Sequence, residues 1–210
     1  MNKVIYILML CAIVACSRFE SRPSEAAIDA TLDREGTYTV TDMIWKDDPS
    51  ATFDLNGDGI SNLLFEEINT YERKSLGKGN VSFSEFVDGK GMAYEGSCRI
   101  DLPIQHVRGY WEYDEKSNNV FVIDDKGEII FRGYYFTGSV NQDGLVSWEP
   151  AVLASNPIET SPLMTIAYDE EARIIASDPG RMEVEFVFKA YLPQSGEFRT
   201  GMVLMTLERD

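Results

Sequence analysis

Histidine and cysteine are scarce in this chain of 210 residues, which has one histidine, His106, and three cysteines. Transition-metal sites such as structural zinc use several of these ligands, so a Cys/His metal cluster is excluded. No serine or cysteine stands in a nucleophile-elbow sequence that His106 could serve, and the chain has no glycine-rich phosphate loop. Carboxylates are so plentiful that any choice of two as a glycosidase pair would be arbitrary. The sequence therefore predicts no catalytic residues.

Positive charge is also scarce, because 19 lysine and arginine residues stand against 35 aspartate and glutamate residues, a formal net charge of −16. This balance argues against nucleic acid as a partner and against binding to anionic lipid headgroups through charge. It favours solubility and an affinity for divalent cations.

The first sixteen residues have the layout of an export signal. Residues 1–3 are a short basic start, residues 4–14 are apolar, and Ile13-Val14-Ala15 leads directly into Cys16. This layout resembles a bacterial lipoprotein signal peptide, in which the cut follows a small residue and precedes a cysteine. The resemblance implies that Cys16 is diacylated and that the mature chain, residues 16–210, is anchored in the lipid bilayer of the cell envelope. The expected location is the outer membrane.

Two alternatives to lipidation stay open. The apolar run of about 12 residues is short for an uncleaved membrane span, which needs roughly 20. A signal peptide with an ordinary cut and no lipid is the stronger alternative. Cys11 follows Leu-Met-Leu and is a poorer lipidation site than Cys16. With the leader removed and Cys16 acylated, Cys98 has no cysteine partner, and its strand-like surroundings predict a buried, inert thiol.

Beyond the leader, a polar segment precedes a strand-rich one. Residues 16–35 are small and polar, which predicts a tether with a short helix near 25–33. Residues 36–210 are expected to form a single β-rich domain with one helix over about 62–74. The predicted strands are 37–45, 81–87, 92–101, 107–113, 120–123, 128–136, 145–148, 163–168, 172–177, 182–192 and 198–209. Short polar turns force antiparallel pairing, so the sequence predicts an all-β meander that forms a barrel or a two-sheet sandwich.

One motif carries a specific chemistry. The segment Asp54-Leu-Asn56-Gly-Asp58-Gly59 matches the start of an EF-hand-type calcium loop, Asp-x-Asn-x-Asp-Gly. Oxygens at positions one, three and five converge on one point, and Gly59 at position six permits the sharp turn. At position seven the carbonyl of Ile60 supplies another oxygen, while its side chain is expected to pack inward.

The end of the motif departs from the EF-hand pattern. Phe65 stands at position twelve, where a bidentate glutamate is expected, and Glu66 and Glu67 follow. A shift of one residue turns a helical side chain by about 100°, so Glu66 is a candidate whose reach is open. The predicted metal ligands are Asp54, Asn56, Asp58, Ile60, Asn62 and Glu66. Calcium would have a structural role, and the alternative is a metal-free turn, since Asn-Gly and Asp-Gly form turns without an ion.

Aromatic residues form a second group. They are Tyr110, Trp111, Tyr113, Phe131, Tyr134, Tyr135 and Phe136 on predicted strands, with Trp45 and Trp148 near strand ends. Inside a barrel they could hold an apolar ligand, and on its surface they could stack on sugar rings. The alternative is an ordinary β-sheet core.

Three features together point to a family. The Cys16 lipid box, the opening strand Gly36-Thr-Tyr-Thr-Val-Thr…Ile44-Trp45 and the Asp54 loop before a short helix resemble small lipocalin-like lipoproteins of Gram-negative gut and oral bacteria. The resemblance implies a fold and an envelope location more than a function. The first hypothesis is a non-enzymatic, calcium-stabilised β-domain that binds a small apolar or glycan ligand or a partner protein. The alternatives are an accessory lipoprotein of an outer-membrane complex with no ligand cavity, and a glycan-acting hydrolase.

Overall fold

The computed structural model of the chain describes residues 23–70, 77–88, 91–107, 109–114, 118–123, 128–151 and 172–210. Cys16, the leader, residues 16–22 of the predicted tether and the predicted strand 163–168 lie outside the described residues. The prediction of lipidation at Cys16 therefore remains a prediction.

The described elements are almost all strands, as the sequence predicts. The two helices are α1 (Glu25–Leu32) and α2 (Leu64–Thr70). The strands are β1 (Gly36–Trp45), β2 (Thr52–Phe53), β3 (Asn62–Leu63), β4 (Lys78–Asp88), β5 (Gly91–His106), β6 (Gly109–Asp114), β7 (Asn118–Ile123), β8 (Glu128–Val140), β9 (Val146–Pro150), β10 (Arg173–Asp178), β11 (Arg181–Leu192) and β12 (Glu197–Arg209). Neither described helix has the length and apolar character needed to cross a membrane.

Eight strands form one antiparallel sheet in the order β10-β11-β12-β1-β4-β5-β8-β9. The first strand of the chain pairs with the last, with Tyr38 opposite Arg209 and Trp45 opposite Val203. The two edge strands, β9 and β10, approach each other to within 8 Å between Cα atoms. The sheet is therefore nearly closed on itself, and the fold is the barrel-like form of the predicted meander.

Alternation of apolar and polar side chains explains why these segments form strands with one buried face. In β11 the residues Met182, Val184, Phe186 and Phe188 are buried, as the period of two predicts. Inward-facing residues from the other strands join them in one continuous apolar core. These include Tyr38, Val40, Val81, Cys98, Ile100, Phe136, Val203, Met205 and Leu207. The interior of the described barrel is thus occupied by its own side chains.

Helix α1 covers one end of the barrel, which we call the α1 end. Ser24 caps the helix by accepting a hydrogen bond from the Ala27 amide at 3.1 Å. Ala27 and Ala30 pack against Val140 at the end of β8. The helix predicted within the tether therefore forms and is part of the folded body.

The opposite end of the barrel, which we call the loop end, is covered by the segment between β1 and β4. Phe53 and Leu55 belong to the main core, together with Leu64 and Ile68 of α2. Phe53 packs against Trp45 with ring centroids 4.9 Å apart. The predicted calcium loop is therefore fixed to the rim of the barrel by apolar contacts on both of its flanks.

Candidate metal centre

The candidate calcium loop is closed by a short pair of strands. Thr52 pairs with Leu63, and Phe53 pairs with Asn62, so β2 and β3 bring the two ends of the loop together. Gly59 has a φ of +90°, a backbone conformation that is strained for residues with a side chain. This is the sharp turn that the motif requires at position six.

Asp54 organises the loop from its first position. Its side chain is only 7% exposed. Its Oδ1 accepts a hydrogen bond from the Asp58 amide at 3.1 Å, and its Oδ2 accepts one from the Gly59 amide at 2.9 Å. The backbone of the loop therefore winds around this carboxylate.

The side chains at positions three and five lie close together. Asn56 Oδ1 accepts a hydrogen bond from the Asp58 amide at 2.8 Å, and Asp58 Oδ1 accepts one from the Ile60 amide at 2.7 Å. The side-chain Nδ2 of Asn56 donates to Asp58 Oδ2 at 3.1 Å. Three of the predicted ligand side chains, Asp54, Asn56 and Asp58, are thus linked through one loop.

The structure separates the two glutamates that follow the motif. Glu66 is exposed, whereas Glu67 is fully buried. Glu67 Oε1 accepts hydrogen bonds from the amides of Leu55 at 2.8 Å and Asn56 at 3.3 Å. The buried carboxylate that braces the loop is therefore Glu67, whereas the motif predicted Glu66.

The helical period gives a signal that could have identified Glu67. Leu64, Glu67 and Ile68 are the buried residues of α2 and stand three and four residues apart, on one helix face. A carboxylate on the apolar face of a helix must find hydrogen-bond donors when it is buried. The loop amides are those donors.

The remaining predicted ligands, Asn62 and Ile60, take different positions. The side-chain Nδ2 of Asn62 donates to Glu67 Oε2 at 2.9 Å, so Asn62 belongs to the same hydrogen-bond network. The expectation that the Ile60 side chain packs inward is wrong, because this side chain is 61% exposed. The side chain at position seven is therefore open to solvent.

Two glutamines from distant strands attach the loop to the barrel. Gln194, in the turn between β11 and β12, donates a hydrogen bond from Nε2 to Asp54 Oδ2. Gln105, on β5, is buried and donates from Nε2 to the carbonyl of Leu55 at 3.3 Å. Residues far away in the sequence therefore help to hold the loop in place.

The donor set is of the type that calcium prefers, since carboxylate and amide oxygens are its usual ligands. Asp54 Oδ2 accepts two hydrogen bonds, from the Gly59 amide and Gln194, whereas Asp54 Oδ1 and the two Asp58 oxygens each accept one. A carboxylate oxygen that accepts one hydrogen bond keeps a further lone pair, so these three oxygens are compatible with a bound cation. Among the described residues, no three histidine, cysteine, aspartate or glutamate side chains form a metal-holding group. Any ion at this loop would thus depend on Asn56, Asn62 and the Ile60 carbonyl as well as on Asp54 and Asp58.

The aromatic residues that the structure describes mostly serve packing. Phe136 is buried in the core, and Tyr134 lies 5.2 Å from it between ring centroids. Trp148 covers Gly96 and Gly138, where an added Cβ would come within 2.9 Å and 2.6 Å of its ring. Tyr135 is exposed. The side chains of Tyr110, Trp111 and Tyr113 lie outside what the structure describes.

Cys98 is a buried free thiol inside the barrel, as the sequence predicts. Burial raises its pKa to about 12. A thiol held protonated in this way is a poor nucleophile and a poor metal ligand. Cys98 is therefore a core residue.

Comparison with known proteins adds no assignment. No family model matches the chain, and no curated protein or solved structure matches it either.

Proposed function

We propose that this chain is a non-enzymatic, lipid-anchored protein of the bacterial cell envelope, with a calcium-stabilised, lipocalin-like β-domain. In this proposal the domain is an accessory scaffold that contacts a partner protein through its outer surface. The lipid is attached at Cys16, and the loop from Asp54 to Asn62 takes up one calcium ion.

The packed interior is the observation that supports a scaffold over a carrier of an apolar or glycan ligand. Described residues from all around the barrel, such as Tyr38, Phe136, Phe186 and Phe188, belong to one apolar cluster. Helix α1 covers one end, and the Asp54 loop with α2 covers the other. A carrier needs a concave apolar site that stays open to its ligand.

The buried network around the loop supports calcium. Asp54 and Glu67 are both acidic side chains that are nearly inaccessible, and burying two carboxylates in one loop disfavours folding unless they are compensated. Backbone amides provide part of this compensation, and a bound cation would complete it. The loop belongs to the rim of the barrel, so the ion would stabilise the whole domain.

Binding to the loop can be measured by isothermal titration of calcium into the chain without its leader and lipid cysteine, residues 17–210. We expect one site with a dissociation constant of about 10⁻⁵ to 10⁻³ M, the range of sensor-type to extracellular calcium sites. Asp58→Ala should abolish the heat. Asp143→Ala, in the exposed Asn141–Gly144 turn, is the matched control and should bind like wild type. No heat with wild type would contradict the calcium part of the proposal.

The anchor and the scaffold role need separate measurements. Radiolabelled palmitate fed to expressing cells should enter the wild-type chain and not Cys16→Ala, and its absence from both would contradict lipidation. Native mass spectrometry of the purified domain should show the calcium adduct alone. A second, stoichiometric small-molecule adduct would favour the carrier function instead.

A further inference from the structure

Exposed aliphatic side chains gather at the α1 end of the barrel. Ile28 and Leu32, four residues apart on α1, lie on the side of the helix away from the buried Ala27 and Ala30. Leu32 is 62% exposed. Leu145, in the turn between β8 and β9, is 68% exposed. We call these three exposed residues the α1-end patch.

The α1-end patch is held rigidly on the barrel. The Ser24 amide donates to Gln142 Oε1 at 3.0 Å, which fixes the start of α1 to the turn that carries Leu145. At the other end of the helix, Arg209 donates to the carbonyls of Leu32 at 3.2 Å and Asp33 at 2.8 Å. The helix therefore crosses this end of the barrel between two fixed points.

Arg34 adds a third attachment. Its Nε donates to the carbonyl of Ser177 on β10 at 2.8 Å, and the Tyr38 hydroxyl donates to the Arg34 carbonyl at 2.7 Å. A helix tied in this way cannot turn its exposed face toward the core without breaking several hydrogen bonds.

The α1 end is also where the chain leaves toward the lipid. Seven residues lie between Cys16 and Ser24, so the eight Cα–Cα steps span at most about 28 Å when the chain is fully extended. A lipid on Cys16 would therefore keep the α1 end close to the bilayer surface. The loop end lies at the far end of β1, one barrel length away.

We propose that the α1-end patch is a membrane-contact surface, and that Ile28, Leu32 and Leu145 rest in the headgroup region of the bilayer that holds the acylated Cys16. This rests on the lipidation in the proposed function. Each contact is weak alone and works because the anchor raises the local concentration of the patch at the bilayer. The loop end with the calcium site then faces away from the membrane, toward partners.

The charges near the patch define the kind of lipid it fits. Glu25, Asp29 and Asp33 are exposed on the same helix and its end. These carboxylates are repelled by anionic headgroups, so the patch fits a surface of zwitterionic phospholipid. The contact is apolar rather than electrostatic.

Lipid contact can be measured on the full-length, lipidated chain in vesicles of phosphatidylcholine and phosphatidylethanolamine. A polarity-sensitive fluorophore is attached to Leu32→Cys, to Leu145→Cys or, as the matched control at the loop end, to Leu63→Cys. All three positions are exposed, so the substitutions preserve the fold, and Cys98 stays unlabelled because it is buried. Quenching by nitroxide-labelled lipid reports contact with the bilayer.

We expect lipid nitroxides to quench the labels at positions 32 and 145 at least threefold more strongly than the label at 63. Equal quenching at the three positions, with the chain floating on vesicles, overturns the membrane-contact proposal and leaves the anchor intact. A blue shift at position 32 that needs no vesicles and grows with protein concentration also overturns it, because a second copy then covers the patch. A wild-type chain that does not float with vesicles overturns lipidation itself and the contact with it.

Discussion

Gln105 and the backbone of Tyr191 exchange two hydrogen bonds inside the barrel. The Tyr191 amide donates to Gln105 Oε1 at 2.6 Å, and Gln105 Nε2 donates to the Tyr191 carbonyl at 3.1 Å. The same Nε2 also reaches the carbonyl of Leu55 in the candidate calcium loop. One buried side chain therefore connects β5, β11 and the loop.

Replacing Gln105 should destabilise the domain strongly. Gln105→Ala leaves the buried amide and carbonyl of Tyr191 without these partners, and each unsatisfied buried group costs about 1–3 kcal/mol. We expect the free energy of unfolding to fall by about 2 to 4 kcal/mol, measured by urea denaturation followed by circular dichroism. Asp143→Ala is the control, because Asp143 lies in an exposed turn away from this network. Equal losses for the two variants would contradict the bridging role.

We expect any side chain at Gly201 to destabilise the fold, because Trp45 packs directly against this position. A Cβ at this position would lie 2.2 Å from Trp45 Cζ2, and Trp45 is buried against Phe53. Gly201→Ala should lower the free energy of unfolding by about 1–3 kcal/mol through overpacking. The double variant with Trp45→Leu should recover part of that loss, a coupling of at least about 0.5 kcal/mol. Additive losses would show that the clash is relieved elsewhere.

The Cys98 thiol should be unreactive in the folded domain. In residues 17–210 it is the single cysteine, and its raised pKa leaves little thiolate at pH 8. Alkylation by iodoacetamide at that pH should be at least about 100-fold slower in buffer than in guanidinium chloride. Comparable rates would show that the barrel opens readily at β5.

The same shift predicts a loss of stability in alkali. The unfolded thiol loses its proton near the ordinary value of 9.0, whereas the folded thiol keeps it up to about 12. Between these values the unfolded state binds fewer protons, so the free energy of unfolding falls as the pH rises. Urea denaturation of wild type and Cys98→Ala at pH 8 and pH 10 measures this fall, which should be smaller in the variant.

Glu67, rather than Glu66, should control the loop. Glu67→Gln replaces one carboxylate oxygen by an amide nitrogen. This nitrogen then faces Nδ2 of Asn62, while the remaining side-chain oxygen still accepts from the backbone amide of Leu55. We expect calcium affinity to fall about tenfold, which corresponds to about 1.4 kcal/mol. Glu66→Gln, at an exposed position, should change the affinity less than threefold. The reverse order, measured by calorimetry, would restore Glu66 as the ligand.

The sequence predicted local structure well because local rules govern it here. The alternation of buried residues in β11 follows from the two-residue period of a strand, and the turn that ends at Gly144 uses a φ of +77°, which favours glycine. It could not predict the contacts of Gln105 and Gln194 with the loop, because these depend on how the barrel closes. Asp54 and Gln194 are 140 residues apart in the chain. The role of Glu67 was not predicted because the EF-hand pattern places its glutamate at position twelve, whereas Glu67 lies on the buried face of α2.

A thermal melt of residues 17–210, in excess EDTA and with about 1 mM calcium, tests the central claim most directly. If the dissociation constant is about 10⁻⁵ M, this concentration stabilises the native state by about 2.7 kcal/mol. The expected rise in melting temperature is about 5 to 10 °C. Asp58→Ala should lose the rise, and Asp143→Ala should keep it. Identical melts with and without calcium in wild type would contradict a calcium-stabilised domain and make the Asp54 loop an ordinary turn.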